Sequence, residues 1–203
     1  MSYIKKVISG IGENRPLFNL WNATMKNILL LYATVEGQTE KVANTIGSHL
    51  KEAGANVMVR NVRDSQFMAK LNLMDFDQLV VGASIHVGKI EKEMAAFLNA
   101  KVAEIDAMPR SMFIVLMAAA TRDAERRENS FAEIRRNLAR QVKLPFSDIE
   151  MIAGALMYTR YNWFVKWMMK RLVRKEGGNT DTSRDHEYTD WDQVEAYARR
   201  LAE

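Results

Sequence analysis

Apolar residues along this chain fall in short solid runs, separated by stretches where they recur every three or four positions. Asn27 to Ala33 (NILLLYA) is almost wholly apolar, as expected of a strand covered on both faces of a parallel sheet. Val42, Ile46 and Leu50 then keep helical spacing, and Gly54 stands where such a helix stops. Ala55 to Val62 alternates and predicts a second strand, and Leu79 to Ala83 a third, short and buried. A helix with Ile90, Met94, Phe97 and Leu98 on one side follows, Pro109 punctuates, and Met112 to Met117 predicts a fourth strand. Phe131, Ile134 and Leu138 mark the next helix, Ile149 to Leu156 a fifth strand. The last helix starts near Asp190, whose spacing to Gln193 fits a capping box.

Strands and helices alternating in this way predict an α/β fold with a doubly wound, five-stranded parallel sheet in the order 2-1-3-4-5. Ligands of such sheets sit outside the carboxyl ends of the strands beside the switch point. Here those ends are the loops 34–39, 84–88 and 118–128.

With 203 residues, 48% of them hydrophobic and 27% charged, the chain suits one globular domain with additions. It has no Cys, which excludes disulfides, thiolate-held iron–sulfur clusters and Cys-based zinc sites. Three scattered histidines (His49, His86, His186) argue against a His-only metal site. The net charge of +4 points to an anionic partner. No run reaches the roughly 18 apolar residues of a membrane-spanning helix, and residues 1–26 lack the apolar core of a secretory signal.

The first predicted strand meets its helix at Thr34-Val35-Glu36-Gly37-Gln38-Thr39. Unpaired amides at a helix start attract anions, two hydroxyls add donors and Gly37 permits close approach. The segment therefore reads as a phosphate cradle, or more plainly as a capped turn with Thr39 as N-cap. It carries neither G-x-G-x-x-G nor the lysine of G-x-x-x-x-G-K-[ST], so neither NAD by that fingerprint nor ATP is expected.

"LLLYATVEGQTEKVA" resembles the first strand and phosphate loop of flavodoxins, whose pattern is [ST]-x-[ST]-G-x-T, and "VVGASIHVG" resembles their second flavin loop. The resemblance covers most of residues 27–203 and implies FMN, held by Thr34, Val35, Glu36, Gly37, Gln38, Thr39, by Ser84, Ile85, His86, Val87, Gly88 and by Ala118, Ala119, Ala120, Thr121. Two departures stand out. Glu36 replaces a hydroxyl and is expected to turn outward, away from a bound phosphate. No aromatic ring occurs in 84–88 or 118–128, so Ile85, His86 and Val87 are expected to cover the flavin.

Residues 157–175, MYTRYNWFVKWMMKRLVRK, contain five aromatics and no acid. On a helix from Trp163, Phe164, Val165, Met168, Met169, Leu172 and Val173 share one arc, opposite Lys166, Lys170, Arg171 and Arg174. A core-packing helix with a solvated basic face is one reading. The run of cations with tryptophans favours an anionic membrane or substrate surface instead. Basic and aromatic interleaving also describes single-strand binding, but no nucleic-acid motif accompanies it, and no nucleic acid is expected.

The stretch "IAGALMYTRYNWFVKWMMKRLVRKEGGNTDTSRDHEYTDWDQV" is similar to the carboxyl-terminal part of the flavodoxin-like, quinone-dependent protoporphyrinogen oxidases of bacteria, at Gly154-Ala155-Leu156, Tyr158, Arg160-Tyr161, Trp163, Gly177-Gly178, Thr180-Asp181-Thr182 and Tyr188-Thr189-Asp190-Trp191. The likeness implies a peripheral enzyme on the cytoplasmic face of the inner membrane. It would oxidise protoporphyrinogen IX to protoporphyrin IX and pass electrons to menaquinone or ubiquinone. Arg160, Tyr161, Trp163, Trp167, Lys170 and Arg171 are then candidates for the substrate or membrane surface. His86 is a candidate for proton transfer against the plainer reading of a structural loop histidine, and Arg122, Arg126 and Arg127 read as a solvated charge run. A flavodoxin-type electron carrier, an NAD(P)H:quinone reductase and a basic module that has lost its flavin are the rival readings, and homo-oligomerisation is left open. The expected organisation is an N-terminal extension, 1–26, taken as flexible, and a domain of 27–203 with an insert at 157–178.

Overall fold

The computed structural model describes residues 25–86, 88–159 and 181–203. In chain order the elements are β1 Asn27–Tyr32, α1 Gln38–Glu52, β2 Asn56–Asn61, α2 Ser65–Met68, a 3-10 turn at Leu73–Asp75, β3 Gln78–Ser84, α3 Lys92–Ala100 and α4 Val102–Asp106. There follow β4 Arg110–Leu116, a 3-10 turn at Met117–Ala120, α5 Ala124–Gln141, β5 Ile149–Ala153, β6 Ala155–Leu156, β7 His186–Glu187 and α6 Trp191–Ala202.

β1 to β5 form one parallel sheet in the order β2-β1-β3-β4-β5, with Leu30 beside Val59 on one flank and Val80 on the other. Strand side chains alternate between faces, and the core divides accordingly. Leu29, Leu31, Leu79, Val81, Met112 and Ile114 pack with Met94, Leu98, Ile134 and Leu138 of α3 and α5. Ile28, Leu30, Val80, Phe113, Val115 and Ile152 pack with Val42, Ile46 and Leu50 of α1 and Val194, Tyr197 and Leu201 of α6. Strands covered on both sides can be apolar throughout, which is why their sequence shows runs rather than alternation.

Gly82 of β3 lies opposite Phe113 of β4, and a Cβ there would stand 2.2 Å from the Phe113 Cζ. The missing side chain makes room for the ring, which meets Tyr197 edge-on at 6.4 Å between centroids.

Four expectations change. The fifth strand ends at Ala153; Ala155 and Leu156 leave the sheet and pair antiparallel with Glu187 and His186. α1 starts at Gln38 with Gly37 as N-cap, so Thr39 lies within the first turn. α5 starts at Ala124, capped by the Asp123 carboxylate on the Arg126 amide, which shortens the fourth-strand loop. At α6 the Asp190 carboxylate caps the Asp192 and Gln193 amides. The Gln193 side chain, however, bonds Glu150 and Met151 rather than completing a capping box.

Candidate functional site

The carboxyl ends of β1, β3 and β4 put three loops on one rim of the sheet. At the first, Gly37 holds φ 98° and caps α1 without a side-chain bond. That left-handed conformation suits glycine and few other residues. The amides of Gln38, Thr39 and Glu40, in the first turn, have no helical acceptor. Thr34 Oγ1 accepts the Gly37 amide at 2.9 Å, leaving its own hydrogen to be donated elsewhere, and Thr39 is buried. Val35, by contrast, is exposed. Arg63 donates to the Thr34 carbonyl at 2.9 Å and meets Glu93 at 3.3 Å, steadying the loop from the neighbouring connection.

Glu36 turns toward the second loop. Its carboxylate stands 3.5 Å from His86 Nε2 on the second loop, because a histidine two residues beyond β3 offers a partner that open solvent would not hold in place. The turn takes the like charge toward His86, on the side of the second loop.

The second loop is a tight reversal. The His86 amide donates to the Lys89 carbonyl at 2.8 Å and the Lys89 amide returns a bond at 3.1 Å, with Gly88 at φ 74°. Gln141, at the end of α5, accepts from the Ile90 amide at 3.1 Å and donates to the Gly88 carbonyl at 3.3 Å. Ile85 packs on the core while His86 is exposed; Val87 lies outside the described residues. Ser84 N–H and Oγ–H both reach the Glu91 carboxylate, the amide at 3.3 Å, and Ser84 Oγ lies 3.0 Å from His86 Nε2. Burial pushes the Glu91 carboxyl above its ordinary range, and the Ser84 bonds pull it back in part.

In the third loop Ala118 and Ala119 pack against the core, and Ala120 and Thr121 are half-buried. Arg127 donates to the Thr121 carbonyl at 3.1 Å. It is thus a strut for the loop and not part of a merely solvated run.

Beside the first loop, β6 and β7 close the base of the insert. Thr159 donates its amide and hydroxyl to Asp185, each at 2.8 Å. Buried Tyr158 meets the His186 ring edge-on at 5.9 Å. Gln38 Nε2 donates to Glu187 at 2.7 Å and to Thr189 at 2.8 Å, and Lys41 meets Glu187 at 2.8 Å. Although burial opposes it, the bonds from Lys41 and Gln38 hold the Glu187 carboxyl below its ordinary range. Arg160, Tyr161, Trp163, Trp167, Lys170 and Arg171 lie outside the described residues. Glu187 and Thr189, on the strand returning from that segment, meet the start of α1 through Gln38 and Lys41.

These residues fit a flavin mononucleotide. An uncapped helix start with Thr34 and Thr39 answers its phosphate, and Ile85 with Ala118 and Ala119 offers apolar flanks for its ring. Among the described residues no group of three metal-ligating side chains is gathered, and no helix is long and apolar enough to cross a membrane. A cleft of about 430 Å³ runs between α1 and edge strand β2, lined by Asn44, Lys51, Met58 and Phe76 among others. None of the three loops lines it, and its position beside the edge strand does not match the chemistry of the rim. Glu91, Arg63, Gln141, Lys41 and Glu187 escaped sequence reasoning: Arg63, Gln141 and Glu187 serve the rim from distant positions, while Glu91 and Lys41 lie close by but show no local pattern that announces their role.

A flavodoxin domain model matches residues 29–183. A protein of Escherichia coli (strain K12) named protoporphyrinogen IX dehydrogenase (quinone) is 32% identical over 174 residues, spanning 86% of this chain and 93% of its own. A Leishmania major protein of the same name is 28% identical over 175 residues, spanning 86% of this chain and 74% of its own. An NAD(P)H dehydrogenase (quinone) of Caulobacter vibrioides (strain NA1000 / CB15N) is 29% identical over 93 residues, spanning 37% of this chain and 47% of its own.

Proposed function

Since the chain belongs to the flavodoxin domain family and, within it, to the quinone-type protoporphyrinogen IX dehydrogenases, we propose that it uses FMN to oxidise protoporphyrinogen IX to protoporphyrin IX, passing the electrons to a membrane quinone in haem synthesis. The chief support is a likeness that runs almost from end to end of a relative bearing that name. The match to an NAD(P)H dehydrogenase stops short of half of either chain and gives that rival little weight.

When bound, FMN supplies a hydride acceptor that a quinone can reoxidise. The chain's own residues bind and orient. The first-turn amides of Gln38, Thr39 and Glu40 and the hydroxyls of Thr34 and Thr39 would hold the phosphate. Ser84 to Gly88 and Ala118 to Thr121 would flank the ring, with Ile85 and the alanines keeping water from it.

With no aromatic side chain in 84–88 or 118–128, those two loops would leave the ring accessible to a macrocycle. The substrate's propionates pair with cations of the insert such as Arg160 and Arg171, while Trp163, Trp167 and Lys170 meet an anionic bilayer surface from the cytoplasmic side. Menaquinone or ubiquinone then arrives from the lipid. Anaerobic mixing of the purified protein with protoporphyrinogen IX and a soluble quinone, followed by porphyrin fluorescence, should give turnover well above the uncatalysed rate. A rate no higher than background refutes the assignment.

A further inference from the structure

Three side chains on the second loop and the start of α3 form a connected set. Glu91 stands at the N-cap of α3 but makes no side-chain cap bond there. Its carboxylate, almost wholly buried, turns back to Ser84 and takes both the amide and the hydroxyl hydrogen. Ser84 Oγ, having given its hydrogen to Glu91, can only accept from His86 Nε2, 3.0 Å away. Glu36 reaches the same ring nitrogen. Every described side-chain bond to the His86 ring therefore falls on Nε2 and asks it to be a donor. Among the described residues the ionisable groups facing the ring are Glu36 from the first loop and Glu91 behind Ser84; Lys89 meets His86 through backbone bonds.

We infer that Glu91 is a positioning residue which, through Ser84, fixes His86 as the Nε2–H tautomer, so that Nδ1 is the base receiving the pyrrole proton released at each oxidation step. The proton-acceptor role rests on the reading of function above; the positioning role does not. The balance is simple. A substrate C–H bond breaks with its electron pair leaving as hydride, and those electrons end on the quinone. A pyrrole N–H bond breaks, its proton forms the Nδ1–H bond, and the resulting imidazolium is paired by Glu36 until the exposed ring releases a proton to solvent. A buried carboxylate that both orders a serine and avoids capping its own helix is costly unless paired. Here its two oxygens are spent on Ser84.

The isosteric variant Glu91→Gln tests the direction of the chain. Its amide oxygen can still accept the Ser84 N–H, but its NH₂ donates to Ser84 Oγ, freeing the hydroxyl hydrogen to point at His86. The ring should then switch to the Nδ1–H tautomer. Nitrogen-15 NMR of ring-labelled histidine at pH 8, with and without FMN, reads this directly, His86 being assigned by its loss in His86→Asn. The wild type should show Nε2–H and Glu91→Gln should show Nδ1–H. In turnover, Glu91→Gln and Ser84→Ala should lose about tenfold or more in kcat with KM little changed, tending toward the 10²-fold loss of a general base. Ser84→Thr, which keeps the oxygen, should recover most of it.

The same tautomer in wild type and Glu91→Gln, or Nδ1–H in the wild type, would overturn the positioning role. Unchanged kcat in His86→Asn would overturn the proton-acceptor role. A wild type without porphyrinogen turnover would instead strike the functional reading, and the NMR result would still judge the positioning.

Discussion

At the scale of single residues, the site joins side chains both to near neighbours, as Ser84 to Glu91, and to distant ones, as Gln38 to Glu187. Tyr32, at the end of β1, donates to Glu40 at 2.7 Å. Burial first, then that bond and the Glu40 charge, push its phenol up to about 12 from 10. The fold favours the neutral phenol, so this contribution to stability is complete below pH 10 and is lost as pH rises through 12. Tyr32→Phe should therefore show a shallower alkaline loss of stability than the wild type between those values, measured by urea midpoints in steps of pH. Parallel profiles would mean that Tyr32 does not titrate with unfolding. Nothing in the residues themselves disclosed this. A Tyr at a strand end reads as apolar filling, and Glu40 reads as a favourable acid in a first helical turn. Glu91 is a similar case, since an acid before a helix suggests a cap, whereas its carboxylate serves Ser84.

At the scale of elements, most of the architecture was legible because the physics is local. Runs such as Leu29 to Leu31 are apolar for a strand with a helix layer on each side, and the helices keep a 3.6-residue period toward one of those layers. The rim loops followed from strand direction alone. The pairing of β6 with β7 was not legible, for strands of two residues carry no period and their partners stand thirty or more positions apart. Packing between β3 and β4 gives a sharper test of the layer. Gly82→Ala places a methyl against the Phe113 ring, which is itself held by Tyr197, and should cost about 1–3 kcal/mol in denaturant unfolding. Phe113→Leu in the same chain should recover part of that loss. Additive effects of the two substitutions would show that the ring is free to move aside.

At the scale of the whole molecule, the five-stranded sheet and the helices packed on its two faces are built from residues outside 160–180. The clasp of Ala155–Leu156 with His186–Glu187 and the Thr159–Asp185 tie join the chain on either side of that segment. Replacing 160–180 with a short glycine–serine bridge should leave FMN binding and the thermal midpoint nearly intact. Association with anionic vesicles in sedimentation and porphyrinogen turnover with a membrane quinone should both fall sharply. Loss of FMN binding in the bridged protein would mean that the segment belongs to the flavin site. Vesicle binding by the full chain should also weaken with salt, because charges at a surface are screened over about 8 Å at physiological ionic strength.

The Gln38 and Lys41 contacts to Glu187 give the clasp one more consequence. The strand returning from the insert is stitched to the same helical turn that would grip the nucleotide tail. A tug on that strand, as when the neighbouring segment seats itself in lipid, would be felt at the anchor of the prosthetic group. Docking and cofactor retention would then rise and fall together.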